Sequence, residues 1–344
     1  MKPIDLRSDT VTLPTPSMRE AIFHADLGDD VFEEDQPTRE LEEKAARLTG
    51  TEAALLVSSG TMGNLVSLLT HGNRGDEIIL GDQAHIFYYE VGGISALGGM
   101  IPHTVPNQPD GTIVLDDILY AIRDDNIHFP ETRLLCLENT HNRCNGSPLT
   151  PAYMASVTEF AGNHGLKVHL DGARIFNAAV ALGVPVTDLT AGCDSACFCL
   201  SKGLSAPIGS LVCGSHDFID RARKIRKMLG GGMRQCGIIS AAGIVAIEEM
   251  TKRLSEDHEN AGLLAEGIAR IPGLSVDPES VRTNIVFFDL VSDAIRDDVF
   301  EAELERRHIR MLRLGPSHFR AVTHHGITSD DIVTAIRTLE DIMT

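Results

Sequence analysis

Two residues of this 344-residue chain stand where apolar runs should end, and both suit the chemistry of a cofactor carbonyl. Lys202 directly follows SACFCLS (195–201), where a buried strand should give way to a loop. Desolvation normally keeps ammonium groups out of such places. It is either a strand-end lysine reaching solvent or a lysine placed to form a Schiff base with an aldehyde. Asp171 closes the run LKVHL and precedes GAR. A carboxylate there either caps the next helix or pairs with a buried cation. A pyridinium nitrogen is such a cation, and an aspartate beside it keeps the ring protonated and able to accept electrons.

Two further stretches extend the set. SSGTMGN (58–64) links AALLV to NLVSLLT and reads as strand, glycine-bearing turn and helix start. Free N–H groups and the helix dipole there suit a phosphate, although a Ser-Gly-Thr turn also serves as a plain N-cap. The stretch matches neither GxGxxG nor GxxxxGK[ST]. His85, in GDQAHIFYYE, follows EIIL and should also lie near a strand's carboxyl end. It is either a hydrogen-bonded structural histidine or a flat ring that stacks on a cofactor and reaches a substrate hydroxyl. His128, in NIHFP, offers a second imidazole. A phosphate cradle, a stacking ring, a pyridinium partner and a Schiff-base lysine together fit one cofactor, pyridoxal 5′-phosphate.

The elements that must position these groups are short buried strands: AALLVSS (53–59), DEIILGD (76–82), RLLCLEN (133–139), LKVHLDG (166–172), SACFCLS (195–201) and GSLVCGS (209–215). Amphipathic stretches such as TRELEEKAARLTG (38–50) separate several of them. The alternation predicts an α/β fold with a mostly parallel central sheet covered on both faces. Such sheets bind ligands at their strands' carboxyl ends. Helices should flank LGGGM (229–233), and past about 252 a smaller α+β domain is expected, with strands at NIVFFDL (284–290) and HFRAVTH (318–324). We divide the chain into an N-terminal arm (1–14), a large domain (15–251) and a small C-terminal domain (252–344).

Composition narrows the class. The net charge of −19 argues against a nucleic-acid partner, which needs clustered cations. The basic run RARKIRK (221–227) is the exception and reads as a solvated helix face. Seven cysteines without a CxxC pair point to buried free thiols, and no metal site is expected from them or from the His324–His325 pair. No apolar run approaches the roughly 20 residues of a bilayer span. The start MKPIDLRSDT lacks a secretory h-region, and a cytoplasmic location with no membrane partner is expected.

The motifs SSGTMGN, DQAHIFYYEVGG, ENTHNRCNG, HLDGARIFNA, FCLSKGL and RKMLGGGMRQ resemble those of the low-specificity L-threonine aldolases. The likeness runs from LRSDTVTLPTPSM (6–18) to RAVTH (320–324). It implies a fold type I, transferase-like pyridoxal-phosphate enzyme, usually a homotetramer with active sites shared across a dimer interface. By position, Lys202 would bind the cofactor aldehyde, Asp171 the pyridine nitrogen, and Gly60 and Thr61 the phosphate, with His85 stacked on the ring. Ser8, Arg174 and Arg320 would grip the substrate carboxylate, Arg174 lying beside the cofactor too. His128 would lie near the substrate hydroxyl, and Lys227 and Arg234 would reach in from a neighbouring subunit. The implied reaction is retro-aldol cleavage of L-threonine, L-allo-threonine and related β-hydroxy-α-amino acids to glycine and an aldehyde. The alternatives are an aminotransferase, a β-eliminating lyase, or a non-catalytic binder on the same scaffold. One stretch departs from the family's DDVYGEDPT: DDVFEEDQPT (29–38) has Phe32 for Tyr, Glu33 for Gly, and an extra Gln36 before Pro37.

Overall fold

The computed structural model describes residues 3–344. Near the N-terminus lies a two-residue strand, β1 (Ile4–Asp5), followed by one 3-10 turn at Asp9–Val11. The arm is bent at this turn: Thr10 N–H donates to the Ser8 hydroxyl and caps it.

All six apolar runs form strands: β2 (Ala53–Val57), β3 (Glu77–Gly81), β5 (Thr132–Glu138), β6 (Lys167–Asp171), β7 (Ser195–Cys199) and β8 (Ser210–Gly214). Each is too short for a stable helix and bounded by polar or turn-forming residues. A seventh strand, β4 (Ile101–Val105), has the sequence IPHTV and escapes hydrophobicity because it is a half-exposed edge. The sheet order is β2-β8-β7-β6-β5-β3-β4. Pairings from β7 through β4 are parallel, while β8 runs antiparallel to both of its neighbours. The carboxyl ends of β2, β3, β5, β6 and β7 consequently open at one edge. Helices His216–Met228 and Gly237–Glu249 flank the glycine-rich break.

A second sheet packs β9 (Leu274–Ser275), β10 (Ile285–Leu290), β12 (Leu312–Gly315) and β13 (His318–Val322) antiparallel in the order β12-β13-β10-β9. Its core includes Phe288, Phe319, Phe300 and Leu339, and also Leu6 from the N-terminal arm. β1 pairs in parallel with β11 (Ile309–Arg310) as a separate two-stranded sheet, and Val322 N–H on β13 donates to the Leu6 carbonyl, which ties the arm to the second sheet. Helix Leu254–Ile268 joins the two cores: Leu254 packs in the first, Ala261 and Leu264 in the second.

Helix Gly60–His71 crosses the large sheet closely because Gly63 carries no side chain. A methyl there would run into Cys197 Sγ on β7 and lie 3.4 Å from Val212 and Val57. The buried cysteine and the glycine are thus a matched pair of small residues. We predict that Gly63→Ala lowers stability by about 1–3 kcal/mol through overpacking, less the ~1 kcal/mol that alanine gains in a helix. Adding Cys197→Ala should relieve the clash, so a double-mutant cycle in urea should show coupling above about 0.5 kcal/mol. Strict additivity would mean that the helix simply shifts away.

Candidate active site

The strand ends open onto a cavity of about 270 Å³ whose lining includes Ser8, His85, Asp171, Arg174, Lys202 and Arg320. Lys202 sits three residues beyond β7, and its carbonyl accepts from the Thr12 hydroxyl at 3.0 Å, so the N-terminal arm braces the lysine loop. Gly60 and Thr61 are the first two residues of helix Gly60–His71, next to the end of β7. Ser59 accepts from the two N–H groups that follow: its hydroxyl from Met62 and its carbonyl from Gly63. The Gly60 and Thr61 N–H groups are the ones that helix geometry leaves open for an anion. A methyl at Gly60 would lie 2.8 Å from Cys199 Sγ, so only glycine brings this turn so close to the strand.

Asp171 is buried at the end of β6, and its two oxygens accept from Ala173 N–H at 3.1 Å and the Asn64 amide at 2.8 Å. The same Asn64 nitrogen donates to Glu90 Oε1 at 2.7 Å. Glu90 Oε1 also meets His85 Nδ1 at 2.9 Å, and the His85 backbone N–H donates to Glu138 at 2.6 Å. Burial pushes the Glu90 carboxyl up, and nearby Asp171 adds to this. Burial works against a charged His85 ring, but the Glu90 contact and the Asp171 and Glu138 carboxylates outweigh it and raise its pKa. Ligating atoms of His85, Glu90 and Asp171 lie within 4.8 Å of one another. The set is nonetheless poorly arranged for a cation, because the Asn64 amide hydrogens are aimed at both carboxylates.

The cationic wall is built around Arg174 and Arg320. Arg174 Nε and Nη2 each donate to Asp9 at 2.7 Å, and both residues are buried. Burial alone would raise the Asp9 carboxyl, but Arg174, with Lys202 and His324 behind it, holds it well below the usual carboxylate range. Arg320 donates to Asn142 Oδ1 at 2.9 Å and to the Arg7 carbonyl at 3.2 Å, while its buried Nε has no partner among the described residues. Burial and the facing Arg174 push Arg320 down to about 10. Two guanidiniums here share too little counter-charge, and a bound anion would relieve them.

The other expected residues lie elsewhere. His128 is exposed in the segment between helix Leu115–Ala121 and β5. Lys227 is exposed near the end of helix His216–Met228, and Arg234, half-exposed, donates to Asp29 at 3.0 Å. None of the three lines the cavity of its own chain. In the departing stretch, Phe32 is 69% exposed and also outside the cavity. Glu33 has φ of 62°, the left-handed conformation that favours the family's glycine at this position.

Asp9, Asn64, Glu90, Glu138 and Asn142 also build the site, and none of them was singled out from the sequence. Glu138 carried the same signal as Asp171, a carboxylate closing an apolar strand. Asn64 and Glu90 carried none, since their partners come from distant segments.

A mostly parallel seven-stranded sheet, an appended antiparallel sheet and a site at the parallel strands' carboxyl ends define a fold type I enzyme. The threonine aldolase of Leishmania major superposes with a TM-score of 0.85 over 99% of this chain and 100% of that one, at 19% identity. A putative L-allo-threonine aldolase of Listeria monocytogenes gives a TM-score of 0.80 over 94% and 92%, also at 19% identity. Residues 5–291 match the beta-eliminating lyase family. Low-specificity L-threonine aldolase 1 of Arabidopsis thaliana is 49% identical over 336 residues, covering 96% of this chain and 94% of its own. The low specificity L-threonine aldolase of Escherichia coli K12 is 48% identical over 284 residues, or 83% and 84%. The chain belongs to the beta-eliminating lyase family and, within it, to the low-specificity L-threonine aldolases.

The Asp9–Arg174 pair sets a pH dependence. A carboxyl depressed on folding stabilises the protein above its unfolded pKa, near 4, and that contribution is lost as pH falls toward the folded value. Asp9→Ala should cost about 3–5 kcal/mol near neutrality, because it leaves a buried guanidinium unpaired. Its urea midpoint should then fall less steeply than wild type between about pH 5 and pH 3. Parallel midpoints over that range would show that the pair is not the source of acid sensitivity.

Proposed function

We propose that this protein is a pyridoxal-phosphate-dependent aldehyde-lyase that cleaves L-threonine, L-allo-threonine and related β-hydroxy-α-amino acids to glycine and an aldehyde. The observation that carries the reading is the under-compensated Arg174–Arg320 pair facing Lys202 and Asp171 across one small cavity. That is a carboxylate-binding wall opposite a carbonyl-binding lysine, which suits an amino acid held by both ends. No helix among the described residues is long and apolar enough to cross a membrane.

The residues present fit pyridoxal 5′-phosphate. The open N–H groups of Gly60 and Thr61 suit its phosphate, Asp171 its pyridine nitrogen, His85 its ring face and Lys202 its aldehyde. When bound, the cofactor supplies an electron sink for the pair released as the Cα–Cβ bond breaks. Arg320, backed by Arg174, supplies the positive charge for the substrate carboxylate, and the Ser8 hydroxyl completes the grip. A carboxylate held there and an amine held opposite leave little freedom at Cα, so the bond to be broken is chosen by position. The β-hydroxyl must lose its proton as its oxygen becomes the aldehyde carbonyl. His85 is the cavity's imidazole for that proton, directly or through water. Lys202 would hold the cofactor through its aldehyde.

Lys227, Arg234 and His128 would serve only a neighbouring subunit's cavity. That agrees with their exposure and with the homotetramer that the family resemblance implies. A cytoplasmic location accords with the same reading.

Purified protein should release acetaldehyde from both L-threonine and L-allo-threonine and little from the D forms, whose carboxylate and Cβ exchange places. Lys202→Ala should fold normally, with unchanged circular dichroism, and lose all but a small percentage of turnover. Keto-acid products in place of acetaldehyde would move the assignment to an aminotransferase or a β-eliminating lyase. His128→Phe should change the threo/erythro ratio of kcat/KM by up to about tenfold, one hydrogen bond's worth. His85→Ala should lower both rates. An unaltered ratio in His128→Phe would remove that residue from hydroxyl recognition.

A further inference from the structure

The hydrogen-bond pattern behind the cavity decides which nitrogen of His85 can act as a base. Glu90 and Asp171 are both buried, and both present oxygens to Asn64 Nδ2, at 2.7 and 2.8 Å. Carboxylate oxygens require donors, so the amide nitrogen of Asn64 must face them. Its carbonyl then faces the other way, 3.1 Å from Nε2 of the fully buried His169. Glu90 Oε1 is thereby fixed as an acceptor. His85 Nδ1, 2.9 Å from that same oxygen, must carry a hydrogen and donate it. Nε2 is left as the lone-pair nitrogen of the neutral ring.

We propose that Glu90 is a positioning residue for the reaction: it locks His85 in the Nδ1–H form so that Nε2 accepts the proton of the substrate β-hydroxyl. This rests on the aldol-cleavage reading above. As the substrate O–H bond breaks, its electrons become the second bond of the aldehyde carbonyl and the proton passes to His85 Nε2. The imidazolium so formed is stabilised by Glu90 through the Nδ1–H already in place. Proton transfer therefore needs no reorientation of the ring. The pattern is that of a histidine base oriented by a buried carboxylate.

The surroundings favour Glu90 for the role. Three carboxylates face His85: Glu90 from the following loop, Asp171 from β6 and Glu138 from β5. The Glu138 oxygen nearest His85 is occupied by the His85 backbone N–H, and its other oxygen by Asn142 N–H at 2.8 Å. Asp171 is engaged by Asn64 and Ala173. Among the carboxylates of the described residues, Glu90 alone hydrogen-bonds to the ring itself, at Nδ1. The Tyr89 ring flanks His85 with centroids 5.4 Å apart, and its hydroxyl accepts from Arg143.

The test is Glu90→Gln, which keeps size and an acceptor oxygen but removes the charge, beside Glu90→Asp, which keeps the charge. The first readout uses protein stripped of cofactor. The His85 titration midpoint is measured by hydrogen–deuterium exchange at its ring C2 position, read by mass spectrometry of the peptide. In Glu90→Gln it should fall by about one unit or more, whereas Glu90→Asp should retain most of the wild-type midpoint. The second readout uses holoenzyme with L-threonine. Here kcat should fall about 10- to 100-fold with KM within about twofold. The acid limb of the kcat profile should move to lower pH by the same shift as the His85 midpoint, and Glu90→Asp should recover part of kcat. A midpoint unmoved in Glu90→Gln overturns the proposal. So does a moved midpoint with an unshifted kcat profile, and so does an equal loss of kcat in Glu90→Asp and Glu90→Gln. Failure of wild-type holoenzyme to release acetaldehyde sinks the aldol-cleavage reading and overturns the base role with it, while the midpoints still judge the His85–Glu90 pair.

Discussion

The buried pair between Asp9 and Arg174 is the contact on which the rest of the site depends. Both groups leave water almost entirely, at a cost of several kcal/mol per ion that only close, doubly hydrogen-bonded geometry offsets. That geometry requires an arm residue to sit beside the loop after β6. The Asn284 amide, just ahead of β10, reaches the same carboxylate at 3.4 Å. One carboxyl group therefore ties the arm, the large sheet and the small sheet at a single point. The neighbours of Asp9 follow from this: Ser8 lines the cavity, Thr12 braces the Lys202 loop, and Leu6 fills the small sheet's core.

Pairing Asp9 with Arg174 also explains why a second arginine is needed. Arg174 spends two of its donors on Asp9 and is largely neutralised by it. Arg320 arrives from β13 with only neutral acceptors, Asn142 Oδ1 and the Arg7 carbonyl. The residual positive charge of the wall is thus concentrated on Arg320, which has no counter-ion of its own among these contacts. Arg174 provides rigidity and shape, and Arg320 provides the charge that a ligand must match.

Strand ends were the legible part of this site. Buried strands announce themselves by continuous apolar character, and a charged residue closing such a run stands out; Asp171 and Lys202 were found this way, and six of the seven sheet strands with them. IPHTV failed the same test because an edge strand with a proline and a histidine lacks that character. The hydrogen-bonded layer behind the cavity was illegible for a different reason. Asn64 meets Glu90 across 26 residues and Asp171 across 107, and no local pattern encodes such meetings. Exposed residues such as Lys227 and Arg234 show the opposite limit. Motif resemblance singles them out, yet nothing in their own chain brings them to the cavity.

The illegible layer has a consistent electrical design. Burial drives the His71 ring down to about 3 and the His169 ring down to about 4, so both are neutral near pH 7. Ser195 Oγ lies 2.7 Å from His71 Nε2 and 2.8 Å from His169 Nδ1, and His169 Nε2 lies 3.1 Å from the Asn64 carbonyl. Because the Asn64 nitrogen must face Asp171 and Glu90, its carbonyl must accept, and His169 must donate from Nε2. His169 Nδ1 is then an acceptor for the Ser195 hydroxyl, whose oxygen in turn accepts from His71. Every hydrogen in the row points toward the two carboxylates, yet no member carries a charge. A lysine or arginine in place of Asn64 would hold the carboxylates equally well but would neutralise Asp171 from behind. A neutral donor fixes the position of Asp171 and leaves its charge available to a cation on the cavity side.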